Sequence, residues 1–173
     1  MKLKKIICWP PLLGGIGAGV TIGILAYITF ESILAGTNYG LWLVAAFGSS
    51  VVVVFGYPHN EFSQPKNVLF GHLVCAFVGI LFVTLFNISQ DRTIFFLAIG
   101  LAVGIAVMLM MALKITHPPA GGNTIVVMLT QDSFQFLIFP ILVGAVTIII
   151  GGIIYNRYIL KKKYPLKWFE KNF

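Results

Sequence analysis

The chain has 173 residues, of which 58% are hydrophobic and only 10% charged; a soluble domain carries roughly 25% charged residues. That composition excludes a soluble catalytic module and points to an all-α polytopic membrane protein, a single transmembrane domain over residues 1–173. The net charge of +7 collects at the two ends, in Lys2, Lys4 and Lys5 and in Arg157, Lys161, Lys162, Lys163, Lys167 and Lys171. The positive-inside rule accounts for those charges better than nucleic-acid binding does.

In chain order, Met1-Lys2-Leu3-Lys4-Lys5 looks like the n-region of a signal peptide. The apolar stretch behind it runs to about Ala35, too long for an h-region of roughly 7–15 residues. It is read as the first transmembrane helix, about residues 13–35, with Glu31 near its end. Residues 41–56 are apolar but are expected to break at Phe47-Gly48-Ser49-Ser50. Gln64-Pro65-Lys66-Asn67 leads into a second long span, about 68–86, which carries His72 one residue after Gly71. A third span covers about 94–113. Met108, Met110 and Met111 in it do not share one face, so packing is a better reading than a copper path. A fourth span covers about 134–158, followed by a basic tail over 159–173. Cys8 and Cys75 are expected to be packing residues, not a disulfide or a metal pair. Trp9, Trp42, Trp168 and Tyr158 suit the aromatic belts.

The most informative segment is Thr116-His117-Pro118-Pro119-Ala120-Gly121-Gly122-Asn123-Thr124, between two apolar stretches. Two prolines cannot donate backbone hydrogen bonds and cannot sit inside a helix without breaking it. Irregular backbone at membrane depth is tolerated where it is buried in protein or lines a cavity. The short run 123–130 follows it. An extended 117–122 segment would help that run to cross, since extended chain covers about 3.3 Å per residue.

The two short elements occupy matching positions. Sliding the chain by 73 residues puts Gly48 on Gly121, Gly71 on Gly144, Gly79 on Gly152 and Val54 on Val127. An internal repeat is expected, with halves at about 12–88 and 93–158, each long helix, short or broken element, long helix. If both short elements cross, there are six passes, and eleven of the twelve Lys and Arg share one side with only Arg92 opposite. If both are re-entrant, there are four passes and Lys66 and Lys114 move outside. Six passes fit better and make the repeat inverted. Both arrangements put the termini in the cytoplasm, and the start of the chain suits an inner membrane, not a plastid leader.

Interrupted segments at corresponding positions of two halves point to a transporter's binding site. Helices starting after Gly48 and after Gly121 would present free N–H groups and a partial positive charge. Beside them stand Ser49, Ser50, Asn123 and Thr124. Gly48, Ser49, Ser50, His117, Gly121, Gly122, Asn123 and Thr124 are the candidate substrate site, suited to a small anion. Capping by Ser50 and by Asn123 or Thr124 is part of the same expectation. His117 can carry a proton or close the preceding helix. His72, Glu31 and Lys66 are candidates for gating or proton transfer. No catalytic triad, phosphate loop, zinc spacing or paired carboxylates is visible, so no enzyme activity, cofactor or metal is expected. A structural or assembly protein is the alternative. A membrane enzyme with His117 as base would need a second ionisable group, for which the sequence offers Glu31. Six segments around a pore make a thin wall, so a homo-oligomer is expected.

His117-Pro118-Pro119-Ala120-Gly121 resembles the signature of the HPP family of small integral membrane proteins. Phe47-Gly48-Ser49-Ser50 is similar to that family's Pro-Phe-Gly-Ala-Ser stretch. Gln64-Pro65-Lys66-Asn67 with Gly71-His72 resembles its Gln-Pro-Arg-Asn and Gly-Gly-His stretch. The likeness covers about residues 13–157. Ala46, Lys66 and Gly122 depart from the usual Pro, Arg and Ala or Ser. The resemblance implies kinship with plastid and cyanobacterial members linked to nitrite transport, whereas the residues themselves imply only a small anionic solute.

Overall fold

A computed structural model describes residues 9–34, 44–86 and 92–166. Six α-helices follow one another: α1 (Trp9–Leu34), α2 (Ala45–Gly56), α3 (Pro65–Phe86), α4 (Arg92–Ala112), α5 (Gly121–Thr130) and α6 (Val143–Ile153), the last flanked by π-helical turns Leu137–Leu142 and Ile154–Ile159. Among the described residues, four stretches are long and apolar enough to cross a membrane: Pro11–Leu34, Pro65–Leu85, Ile94–Ala112 and Leu137–Ile159. At 1.5 Å per residue, α2 and α5 span only about 18 and 15 Å, well short of a hydrocarbon core of roughly 30 Å.

Directions follow from which residues touch. Gly144 packs on Phe47 and Gly152 on Val54, so α2 runs parallel to α6. Gly71 packs on Ala120 and Gly79 on Val127, so α5 runs parallel to α3. Gly17 meets Tyr155 while Gly151 meets Thr21, so α1 runs against α6. Cys75 meets Met110 and Gly71 meets Ile115, so α4 runs against α3. Phe47 packs on both Gly144 and His72, while Tyr164 touches Gly152 and donates to the Ser63 carbonyl just before α3. Hence α6 runs against α3, and successive helices alternate in direction.

Apolar burial gives helices little reason to associate in lipid, so close packing of small residues takes its place. A Cβ on Gly79 would lie 3.0 Å from Val127 Cβ, and one on Gly71 would lie 2.7 Å from His117 Cβ. Alanines Ala98, Ala102 and Ala106 form the buried face of α4. Large apolar side chains such as Ile24, Phe30, Leu97 and Leu101 point outward, as lipid-facing residues do.

Three sequence expectations are corrected. Helix α2 does not break at Phe47–Ser50; it begins at Ala45, with Val44 as its cap, and runs through them to Gly56. Ser50 Oγ lies 2.9 Å from the Ala46 oxygen one turn back, an alternative acceptor that lets a serine sit inside an apolar helix. The 117–122 segment is not extended. His117 alone is, at φ −135° and ψ 95°, and Pro118–Ala120 form a 3₁₀ turn, which suits proline at a helical first position. The fourth span is not continuous. Phe139 leaves the helical region at φ −127° and ψ 113°, because Pro140 disfavours helical backbone in the residue before it.

Helix α4 ends in a Schellman motif: Ile115 N–H donates to the Met110 carbonyl and Lys114 N–H to that of Met111. Lys114 takes φ 53°, where glycine is favoured. Lys114→Gly is expected to raise stability by about 1 kcal/mol, read as the midpoint of thermal unfolding in detergent. An unchanged or lower midpoint would show that the lysine side chain compensates for its backbone.

Candidate functional site

Five buried polar side chains converge where the middle of α2, the second turn of α3 and the start of α5 meet. Ser50, His72, His117, Asn123 and Thr124 are all buried. Ser50 Oγ lies 2.8 Å from His72 Nε2 and 2.8 Å from His117 Nε2. The two imidazole rings stand 5.0 Å apart, centre to centre. Phe47 presents its ring edgewise to His72 at 5.1 Å.

The ends of this network fix its proton positions. His117 Nδ1 lies 2.7 Å from the Phe62 carbonyl oxygen. A carbonyl only accepts, so Nδ1 carries the hydrogen and the Nε2 of a neutral ring accepts. The Ser50 hydroxyl therefore donates to His117. Its oxygen then accepts from His72 Nε2–H, which leaves His72 Nδ1 as an acceptor. At that atom the Asn123 amide donates across 2.7 Å. The same amide nitrogen also donates to the His72 carbonyl, at 3.3 Å, which fixes which way the amide faces. The result is one directional chain, from Asn123 through His72, Ser50 and His117 to Phe62. Asn123 Oδ1, on the far side of the amide, is buried with no hydrogen-bond partner.

Neighbouring groups hold this chain in place. Thr124 donates to the Cys75 carbonyl at 2.8 Å, tying α5 to α3. Asn67 donates to the Thr116 carbonyl at 3.0 Å, fixing the strand of chain that carries His117. The loop that carries Phe62 is pinned from behind. Gln64 donates to the Pro58 carbonyl at 2.9 Å and accepts from Leu166 N–H at 2.8 Å, and Tyr164 donates to the Ser63 carbonyl at 2.7 Å. Burial pushes the Tyr164 phenol above its usual range, so it stays a donor. Beside His117, a cleft of about 350 Å³ opens between Glu61, Phe62, Asn67, Met111, Lys114 and Thr116.

Four of the expected site residues thus meet through side-chain bonds: Ser50, His72, His117 and Asn123. Thr124 adjoins them. Gly48 and Ser49 sit exposed on α2, outside the network. Gly121 and Gly122 are half-buried at the start of α5, and Gly121 N–H already donates to the Pro118 carbonyl. Ser50, Asn123 and Thr124 do not cap a helix; their side chains bind other helices or, for Ser50, the preceding turn as well. Glu31 is exposed near the end of α1, and Lys66 is half-buried in the first turn of α3. The ionisable group beside His117 is His72, not Glu31. Cys75 is a buried free thiol with Sγ 3.5 Å from Met110 Sδ, and Cys8 lies outside the described residues. Among the described residues, no three His, Cys, Asp or Glu converge as a metal site would need. Sequence reading missed the Phe62 and Cys75 carbonyls and Asn156, which donates to Val54 across 3.0 Å. Asn156 stands out in an apolar stretch; the carbonyls carry no sequence signal.

No solved structure matches the chain. Two transmembrane proteins of Dictyostelium discoideum are similar to it. One is 32% identical over 73% of this chain and 45% of its own length; the other is 30% identical over 85% of this chain and 48% of its own length. The chain spans about half the length of these curated relatives. The family described as HPP, transmembrane region, matches residues 5–165. That match takes in every helix and the whole network built around His117 and the two prolines after it, and the chain belongs to the HPP transmembrane family.

Proposed function

We propose that this protein carries a small monovalent anion, nitrite foremost, across the membrane. The observation that supports it most is the buried chain of Ser50, His72, His117 and Asn123 inside an apolar bundle. Ionisable and polar side chains at membrane depth are costly and mark solute pathways by default. The packing supports an inverted repeat around that site. Under the 73-residue shift the Gly79–Val127 contact becomes Gly152–Val54, and Gly71–Ala120 becomes Gly144–Phe47. Alternating helix directions agree with halves that cross three times each. Nitrite itself comes from the family resemblance. The half-buried starts of α5 at Gly121 and Gly122, with Asn123 and Thr124, form one side of the anion's path, and Gly48, Ser49 and Ser50 on α2 the other. His117 lies between them. The charges favour cytoplasmic termini, and placement in an inner membrane belongs to the same reading. A homo-oligomer belongs to the same reading, with the open glycine faces of α1 and α4 available for close contact.

The test is anion flux into liposomes that contain the purified protein, comparing nitrite with nitrate, formate and chloride. Asn123→Ala is expected to lower nitrite uptake about tenfold while leaving expression intact, the size of one lost hydrogen bond of about 1.4 kcal/mol. Unchanged uptake would sink the site assignment.

A second reading is structural, with the network acting as a latch between helices. Its support is that every polar side-chain atom of the network other than Asn123 Oδ1 already has a partner. Folded protein that moves none of the four anions would favour it.

A further inference from the structure

We propose that Ser50 is the shared hydroxyl of a proton wire between His117 and His72, and that this wire couples anion movement to a proton. The inference rests on the transport reading above. It starts from the single hydrogen of the Ser50 hydroxyl, which two imidazole nitrogens contact at 2.8 Å each. That hydrogen has a second possible acceptor in the Ala46 carbonyl, 2.9 Å away, but a neutral His117 that donates from Nδ1 to Phe62 leaves its Nε2 as an acceptor that the Ser50 hydroxyl fills, and the two histidines are then opposite tautomers. The ends already assign them: His117 carries its hydrogen on Nδ1, facing Phe62, and His72 on Nε2, facing Ser50.

An added proton changes the pattern without moving a heavy atom between the rings. When His72 is the imidazolium, its Nε2–H bond breaks as a new O–H bond forms on Ser50. The original Ser50 O–H bond breaks as an N–H bond forms on His117 Nε2. His117 becomes the imidazolium, His72 becomes neutral, and Ser50 ends with one proton as it began. The reverse shift returns the charge. A serine between two rings passes the proton in both directions and holds none of it.

Each end has a feature that suits exchange. His117 sits behind the cleft where Glu61 and Lys114 are the charged groups, with Asn67 and Thr116 beside them. His72 faces Asn123, whose Oδ1 is buried and without a partner. Turning that amide would give the oxygen to a protonated His72 Nδ1 in exchange for the two bonds the amide nitrogen makes to His72, so the orphaned acceptor gains a donor when His72 is charged. The elements packed on the rings bring few other titratable groups. The α2 face contributes Ser50 and Phe47, α3 contributes Cys75 one turn beyond His72, and α5 contributes Asn123 and Thr124. Lys66 stands half-buried in the first turn of α3, six residues before His72.

Two measurements test this. Solid-state ¹⁵N spectra of histidine-labelled protein in lipid should show His117 as the Nδ1–H form and His72 as the Nε2–H form; like tautomers on both rings overturn the wire. In proteoliposomes loaded with a pH-sensitive dye, wild type should take up protons with nitrite. Ser50→Ala should lose nitrite uptake driven by a pH gradient by about 100-fold, the scale of a lost proton-transfer group. Ser50→Thr, which keeps the hydroxyl, should restore coupling. Proton uptake that survives in Ser50→Ala overturns the coupling. Wild type without any nitrite flux overturns the transport reading instead, and the tautomer pair then decides the wire by itself.

Discussion

Gly144→Ala will destabilise the protein by about 1–3 kcal/mol, the usual cost of overpacking a filled interior. A Cβ at this position would overlap the Cε2–Cζ edge of the Phe47 ring, and that ring is fully buried. It cannot retreat toward His72, against which its edge already rests. The substitution therefore strains the helix pair α2–α6 and displaces the histidine network at once. Thermal unfolding in detergent measures the loss, and Phe47→Leu in the same chain should recover part of it by vacating the space. Gly23→Ala is the control. Nothing lies within 4 Å of a Cβ there, so its effect should stay within about 0.5 kcal/mol. A Gly144→Ala protein as stable as wild type would show that α2 and α6 do not meet at this point.

His117→Ala is expected to be the most damaging change to transport, lowering nitrite uptake about 100-fold. It removes the acceptor of the Ser50 hydroxyl and the donor to the Phe62 carbonyl. Each buried group left unpaired costs about 1–3 kcal/mol, so the variant should also melt earlier. Activity and stability separate through the second histidine. In a double-mutant cycle with His72→Ala, stability losses should be non-additive by about 0.5–3 kcal/mol, as for residues sharing one network. Additive losses would mean that the two rings, 5.0 Å apart, do not act through Ser50.

Much of this architecture was legible from residue types. The four long spans follow from unbroken apolar runs, and Pro118 and Pro119 announce the break before α5 because proline has no N–H to give. Of the glycine pairs that the 73-residue shift matches, Gly71 with Gly144 and Gly79 with Gly152 sit at close helix contacts, whereas Gly48 and Gly121 face open space. The misreadings have physical reasons. Gly48, Ser49 and Ser50 look like a helix break because glycine and serine weaken helices in water. Here the apolar run from Val51 to Val54 keeps the backbone helical, and Ser50 turns its hydroxyl to neighbours. Pro140 lies inside a long apolar stretch that reads as one helix, and its effect falls on the residue before it, Phe139, whose helical backbone it disfavours. The site was legible as a set of residues but not as a network. Ser50 is 22 positions from His72 and 67 from His117, and no spacing on one helix foretells that they share a proton. A backbone oxygen such as that of Phe62 completes the chain and is invisible in any sequence.

The pairing of α2 with α6 and of α3 with α5 also constrains how the molecule is made. During synthesis α2 leaves the ribosome nearly 90 residues before the part of α6 that Phe47 rests on. Until then a helix of only about 18 Å must wait in or beside the insertion machinery without its neighbour. Helix α3 likewise holds His72 without its Asn123 partner until α5 arrives. Neither half can close its own interior: the polar chain has all its members once α5 brings Asn123, and the packing around Phe47 closes only when α6 enters.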